Sequence, residues 1–262
     1  MGSATTQSLK ASTAALDAAT GLDLGVAREL FAAARALGDA SQLSGALSDA
    51  MAPDGARAKV VTDVFGRLSP VTVSLLQTIA AQRWSSSDDL VTGVEELAIR
   101  ATAVAVPRDD IDAELFAVAR AVAANPELEL ALGSRLGDAT AKGALVEKIL
   151  AGRASEATTL IVSSLVQQSR DRRVRTLLSR ALRIVADQRG RTVATVHAAA
   201  PLSTDQLTRL QNTLGARYGA EVALNVVVDP AVVGGVRVEI GDDVIDATVS
   251  SRLSDLRQRL AG

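Results

Sequence analysis

The stretch Asp229-Pro230-Ala231-Val232-Val233-Gly234-Gly235-Val236-Arg237-Val238-Glu239-Ile240-Gly241-Asp242-Asp243-Val244-Ile245-Asp246 decides the reading of this 262-residue chain. Asp229-Pro230 is a turn pair, because proline presets φ and aspartate bonds the local backbone. Gly234-Gly235 stands where a side chain would block a bend or a close backbone approach. Gly241-Asp242 is a second turn signal ahead of Val244-Ile245. Before the first turn, Leu224, Val226 and Val228 alternate with Ala223, Asn225 and Val227; after it, Val236, Val238 and Ile240 alternate with Arg237 and Glu239. A period of two is a strand pattern, so these runs predict a short two-stranded sheet or hairpin. Val249, Leu253, Leu256 and Leu260 then share one face of a closing helix, with Arg252, Asp255, Arg257 and Arg259 turned away. Asp242, Asp243 and Asp246 read as solvated carboxylates at a turn, since a calcium cage needs more oxygen ligands at closer alternation.

Upstream of this segment the chain repeats itself. Glu29-Leu30-Phe31-Ala32-Ala33-Ala34-Arg35-Ala36 recurs as Glu114-Leu115-Phe116-Ala117-Val118-Ala119-Arg120-Ala121, an offset of 85 residues. At that offset Leu43 matches Leu128, Leu47 matches Leu132, Val61 matches Val146 and Leu97 matches Leu182. An offset kept over so long a span predicts two copies of one helical unit. Leu43, Leu47 and Met51 lie four apart, as do Leu128, Leu132 and Leu136. Val174, Leu177, Leu178, Ala181, Leu182 and Val185 form one apolar helix stripe. Pro107 disfavours helix at Val106, and Asp109 or Asp110 can cap the helix that follows. Gly190 and the extended run from Arg191 mark a second boundary. The expected fold is mainly α: two tandem helical bundles, 1–105 and 106–190, followed by a small α+β C-terminal domain, 191–262, with a short β-sheet.

Composition narrows the chemistry. Lys and Arg number 28 against 30 Asp and Glu, so no global field draws the chain to nucleic acid. The absence of cysteine removes disulfides, thiolate metal sites and cysteine catalysis. Aromatic residues are 2%, which leaves few stacking platforms for bases or flat cofactors. Charged or amide residues interrupt every apolar run before it reaches the length of a membrane span. The opening residues lack the pattern of a signal peptide. His197, the single histidine, has no triad spacing around it. No G-x-x-x-x-G-K-[ST] run offers a phosphate cradle. No catalytic residue, cofactor site or metal site is therefore predicted. Arg170, Arg172, Arg173, Arg175, Arg180, Arg183, Arg189 and Arg191 form a basic stretch. It reads as a solvated helix face, as the match for an acidic face on a partner helix, or, as the alternative function, as the surface of a helical adaptor or nucleic-acid-binding regulator. Trp84 reads as a core anchor or an interface hot spot.

The residues Val226 to Asp229, Val233-Gly234-Gly235-Val236, Ile240-Gly241-Asp242, Val244-Ile245-Asp246 and the closing leucines resemble the C-terminal segment of the delta subunit of F-type ATP synthases, the OSCP family. Thr195-Val196, Ala198 to Ala200 and Pro201-Leu202-Ser203 continue the likeness upstream. The family carries one N-terminal helical bundle, so the resemblance implies a version in which that bundle is duplicated. It implies a non-catalytic peripheral-stalk subunit on the cytoplasmic face of the bacterial cell membrane. A helical bundle would receive the amphipathic N-terminal helix of an alpha subunit of the alpha/beta head. The C-terminal domain would take the C-terminal helices of the b subunit. No nucleic acid and no small-molecule substrate is implied. Candidate interface positions are Leu9, Leu16, Leu30 and Leu37 in the first bundle. For the b contact they are Val244, Leu253, Leu256 and Leu260.

Overall fold

The computed structural model describes residues 2–134, 137–241, 243–251 and 253. Two compact units divide the chain between Val185 and Ala186.

The first unit is helical. Five helices open it: α1 Ser3–Ala18, α2 Leu24–Asp39, α3 Ser41–Ser48, α4 Asp54–Phe65 and α5 Pro70–Ala81. A long helix, α6 Ser87–Ala105, follows, and then α7 Ile111–Ala124, α8 Pro126–Gly133, α9 Ala139–Leu150, α10 Glu156–Gln167 and α11 Val174–Gln188. Caps set many of these ends. Asp23, Ser69, Ser86, Asp110, Asp138 and Ser155 each accept a backbone N–H at the helix start, which satisfies a donor that has no intrahelical partner. Proline at the first position of α5 and α8 costs no hydrogen bond there.

The repeat is real in three dimensions. The Glu29 carboxylate accepts from the Ser69 amide at 3.0 Å, the Ser69 hydroxyl at 2.7 Å and the Thr72 hydroxyl at 2.5 Å. The Glu114 carboxylate accepts from the Ser155 amide at 3.0 Å and the Ser155 hydroxyl at 2.6 Å, with Thr158 beside it. In both copies the second helix thus ties off the N-terminus of the fifth, where the helix dipole favours negative charge. α2 corresponds to α7, α3 to α8, α4 to α9, α5 to α10 and α6 to α11.

The same α6 also stands where α1 stands in the first copy. On α1, Thr5 bonds Ser85 and Ser8 bonds the Arg83 carbonyl, both in the connection after α5. On α6, Thr92 and Glu95 bond Arg170 and Arg172, in the connection after α10. One side of α6 belongs to the first copy: Leu90 and Val94 line a small internal void with Leu37, Leu47, Val61 and Ile79. Gly93 lies under the Trp84 ring, where an added Cβ would overlap it. The other side holds the second copy through Glu95 and Glu96. α6 is therefore the last helix of one bundle and the first of the next. Residues 93 to 103 are all buried, including the charged Glu95, Glu96 and Arg100.

The second unit is a four-stranded sheet with one helix across it. Its strands are β1 Arg191–Ala198, β2 Glu221–Val228, β3 Val236–Ile240 and β4 Asp243–Asp246, and α12 Thr204–Tyr218 joins β1 to β2. The strand order is β2-β1-β3-β4. The alternating runs around Asp229-Pro230 are strands, yet they do not pair with each other. β1 lies between them, parallel to β2 with Ala194 opposite Leu224, and antiparallel to β3 with Ala194 opposite Ile240. The physical reason is the α12 crossover. A parallel pair needs a long connection, and this one returns β2 to the far side of β1. The true hairpin is β3–β4, closed at Gly241 (φ 57°) with Ile240 opposite Asp243. Gly235 (φ 78°) approaches the Ala247 carbonyl so closely that a Cβ would overlap it. Ala194, Val196, Val222, Val238 and Ile240 form the core, covered by Leu214 of α12. A capping box at Ser203 and Gln206 starts α12, and left-handed Gly219 ends it.

Candidate interaction surfaces

The arginine stretch is largely paired inside the chain. Arg172 forms a bidentate pair with Glu95, at 2.9 and 2.7 Å. Arg180 spans both acids, meeting Glu95 at 2.8 Å and Glu96 at 2.9 Å. Arg100 closes the cluster on Glu96 at 2.9 Å. Arg170 lies 3.7 Å from Glu95, and burial holds its guanidinium below the usual arginine range, partly offset by that carboxylate. Arg175 pairs with Glu129 at 2.8 Å. Of the readings open for this stretch, the acidic helix face is the one met, and that face is α6 of the same chain. Forked guanidinium–carboxylate pairs of this kind fix geometry as well as charge. A phosphate backbone would have to displace Glu95 and Glu96 to reach Arg172 and Arg180.

Burial settles where the apolar candidates lie. Leu16, Leu30 and Leu37 are core, exposed by 0%, 0% and 1%. In this conformation they offer no area to a partner, because the helix stripe that carries them faces α5 and α6. Leu9 is half-buried on α1. Val244 and Leu253 are exposed, while Leu256 and Leu260 lie outside the described residues. Trp84 is core: its indole N–H donates to the Ile79 carbonyl at 2.9 Å. His197 stands on β1 with Nε2 3.9 Å from Glu239, in no catalytic constellation.

Among the described residues of the helical unit, two surface clefts stand out. One lies between α8 and the start of α11, beside exposed Leu130. The other, about 380 Å³, lies between α7 and the end of α9 and is lined mostly by Ala117, Val118, Ala121, Ile149 and Leu150. Sequence periodicity did not single it out, since an alanine stripe carries little hydrophobic signal. The Glu29 and Glu114 ties were legible in principle, as each glutamate opens the repeated octapeptide. Burial alone would raise both carboxyls. Hydrogen bonds from the Ser and Thr partners outweigh it and hold both below the usual carboxylate range.

Among the described residues no group of His, Cys, Asp and Glu is placed to hold a metal ion, and no helix is long and apolar enough to cross a membrane. A repeated helical unit sharing α6, followed by a small mixed sheet, is the class of fold the described residues define. Comparison with known proteins takes this further. The family model for the ATP synthase delta (OSCP) subunit matches residues 97–260, starting within the shared helix α6. The "ATP synthase subunit delta" of Leifsonia xyli subsp. xyli is 50% identical over 264 residues, covering all of both chains. That of Streptomyces griseus subsp. griseus is 38% identical over 271 residues, again covering all of both. A chain of the Toxoplasma gondii mitochondrial ATP synthase hexamer covers 64% of this chain at 20% identity and a TM-score of 0.36, too little likeness to carry an argument. The chain belongs to the ATP synthase delta (OSCP) subunit family.

Proposed function

We propose that this chain is a non-catalytic stator subunit of an F-type ATP synthase, linking the alpha/beta head to the b subunit of the membrane sector. The observation that carries the reading is the 50% identity with a delta subunit over the full length of both chains, together with a family match over residues 97–260. Proton flow turns a rotor inside the head, and the head would turn with it unless it were anchored. An anchor needs two grips and a stiff body between them. Residues 1–105 and 106–190 supply helical surface for the head, where an amphipathic alpha-subunit helix would lie in a groove. Residues 191–262, with Val244, Leu253, Leu256 and Leu260, supply the grip on the b helices. Two grips on one assembly raise the effective concentration of each, so neither need be tight alone. The complex would sit on the cytoplasmic face of the cell membrane, with this chain attached peripherally.

The test is reconstitution. Membrane vesicles prepared from cells lacking the chain should hydrolyse ATP at the head yet fail to couple a proton gradient to ATP synthesis. Adding the purified chain should restore coupling. Full coupling in its absence would remove the reading.

A further inference from the structure

We propose that α1 is a releasable strap. It opens from the first copy as one unit, about a hinge at residues 19–23, far more readily than the helices beneath it unfold. Release uncovers the edge that runs from Arg83 to Asp89. The inference does not depend on the stator reading.

The two opening helices are held down very differently. α1 and α2 are each 16 residues long. α2 buries Val26, Leu30, Phe31 and Leu37, with alanines between them, and also reaches the second copy through the pair of Arg28 with Glu156. α1 packs on α5 and α6 through Thr5, Ser8, Ser12 and Leu16. Of its side chains only Leu16 brings a large apolar group fully into the core. The rest of the attachment is hydroxyl chemistry. The Thr5 hydroxyl donates to the Asp89 carboxylate at 2.7 Å and lies 3.0 Å from the Ser85 hydroxyl, and the Ser8 hydroxyl donates to the Arg83 carbonyl. Water offers all of these groups equivalent partners, so each bond adds little net stability.

Ser12 weakens the seat further. Its side chain is 0% exposed and its hydroxyl has no hydrogen-bond partner. α6, which stands in the place of α1 in the second copy, shows what a firm seat needs. There Thr92 and Glu95 address the connection, spaced like Thr5 and Ser8, and the side chain one turn beyond Glu95 is Ile99, fully buried. One turn beyond Ser8 comes Ser12. An aliphatic position in one copy is thus an orphaned hydroxyl in the other, which favours any state in which water reaches it.

The helix itself adds little. Its start has no side-chain cap, its first turn no acid and its last turn no base, while Asp17 stands at the negative end of the dipole. Thr5, Thr6, Ser8, Ser12 and Thr13 are weak helix formers in its interior. The hinge is built in. Gly21 has φ 77° with open space around it, and Asp23 caps α2 independently by accepting from the Val26 amide. α1 can therefore leave while α2 keeps its first turn. Release returns the Arg83 carbonyl, the Ser85 hydroxyl and the Asp89 carboxylate to water, a polar edge at the start of α6.

The experiment is native-state hydrogen exchange on the full chain. In the wild type the amides from Leu9 to Ala18 should share one level of protection, roughly a hundredfold below that of the α2 core. That level should change little with urea, because the opening exposes little surface. Ser12→Ala should raise α1 protection by about fivefold or more and leave α2 unchanged. The chain has no cysteine, so Thr5→Cys with Ser85→Cys gives one defined crosslink. Oxidised, it should bring α1 to the protection of α2, and reduction should reverse the gain. Equal protection of α1 and α2 in the wild type would overturn the strap. Protection that fades residue by residue from Ser3 would overturn its release as a unit. An α1 unchanged by Ser12→Ala would overturn the part given to the orphaned hydroxyl.

Discussion

The first and second helical copies share a topology but hold α6 by opposite chemistry. In the first copy, Trp84 closes the connection after α5 and lies on Gly93 of α6, with its N–H satisfied by Ile79. In the second, Arg170 and Arg172 occupy the matching connection after α10 and reach Glu95 on the other side of α6. One seam excludes water with an indole; the other matches buried acids to forked guanidiniums. The difference teaches that the bundle's architecture fixes where α6 must be gripped, not what grips it. It also explains why one helix serves two bundles: its apolar and acidic sides are addressed by different partners.

Breaking each seam separately sharpens this comparison. Trp84→Ala removes a buried ring from a tight site and should cost about 3–5 kcal/mol, seen as a lower urea midpoint. Glu95→Ala leaves Arg172 without its acid and Arg180 with Glu96 alone. Because Glu95 is 4% exposed and the two arginines 24% and 18%, the loss should fall near the lower end of the range for broken buried pairs, about 3 kcal/mol. Replacing Glu95, Arg172 and Arg180 together by aliphatic residues should cost less than Glu95→Ala alone. A larger loss in the triple variant would show that the ion cluster itself outweighs its desolvation.

The two glutamate ties test whether the copies remain equivalent where their chemistry is the same. Glu29→Gln and Glu114→Gln should each cost about 1–2 kcal/mol, and the two values should lie close together. Both carboxyls titrate below their ordinary value, so each binds protons more weakly folded than unfolded. Their stabilisation is then complete above the unfolded glutamate pKa, near 4.3, and is lost as pH falls through the lower folded value. Wild-type stability should drop over that acid window, and the double Gln variant should show a flatter profile there. An unchanged profile would contradict the role given to the ties. Smallest of all, Arg28→Ala removes a pair whose side chains are 49% and 68% exposed. It should shift stability by less than about 1 kcal/mol, and the shift should fade in high salt.

The sequence carried the two copies because their helices keep apolar residues in phase, and buried positions such as Leu30, Leu115, Leu97 and Leu182 must be apolar wherever the bundle is built. It carried the glycine turns of the sheet unit because positive φ leaves glycine as the residue of lowest strain. It did not carry strand order. Pairing is a property of two segments at once, and the run from Arg191 has the same alternation whether it lies at an edge or in the centre. The double role of α6 was equally hidden, since a helix buried all round shows no stripe to read. Surface sites were hardest. Leu16, Leu30 and Leu37 were sound apolar positions, but apolar residues on a helix mark core before surface, and the exposed stripe on α7 is made of alanine.

The central claim is that the two copies, sharing α6, behave as one mechanical body. Native-state hydrogen exchange on the Trp84→Ala variant tests it most directly. The account predicts that amides of α10 and α11 lose protection together with those of α2 and α5, because the damage reaches α6 and α6 belongs to both. Loss confined to α1–α5, with α7–α11 exchanging at wild-type rates, would contradict it.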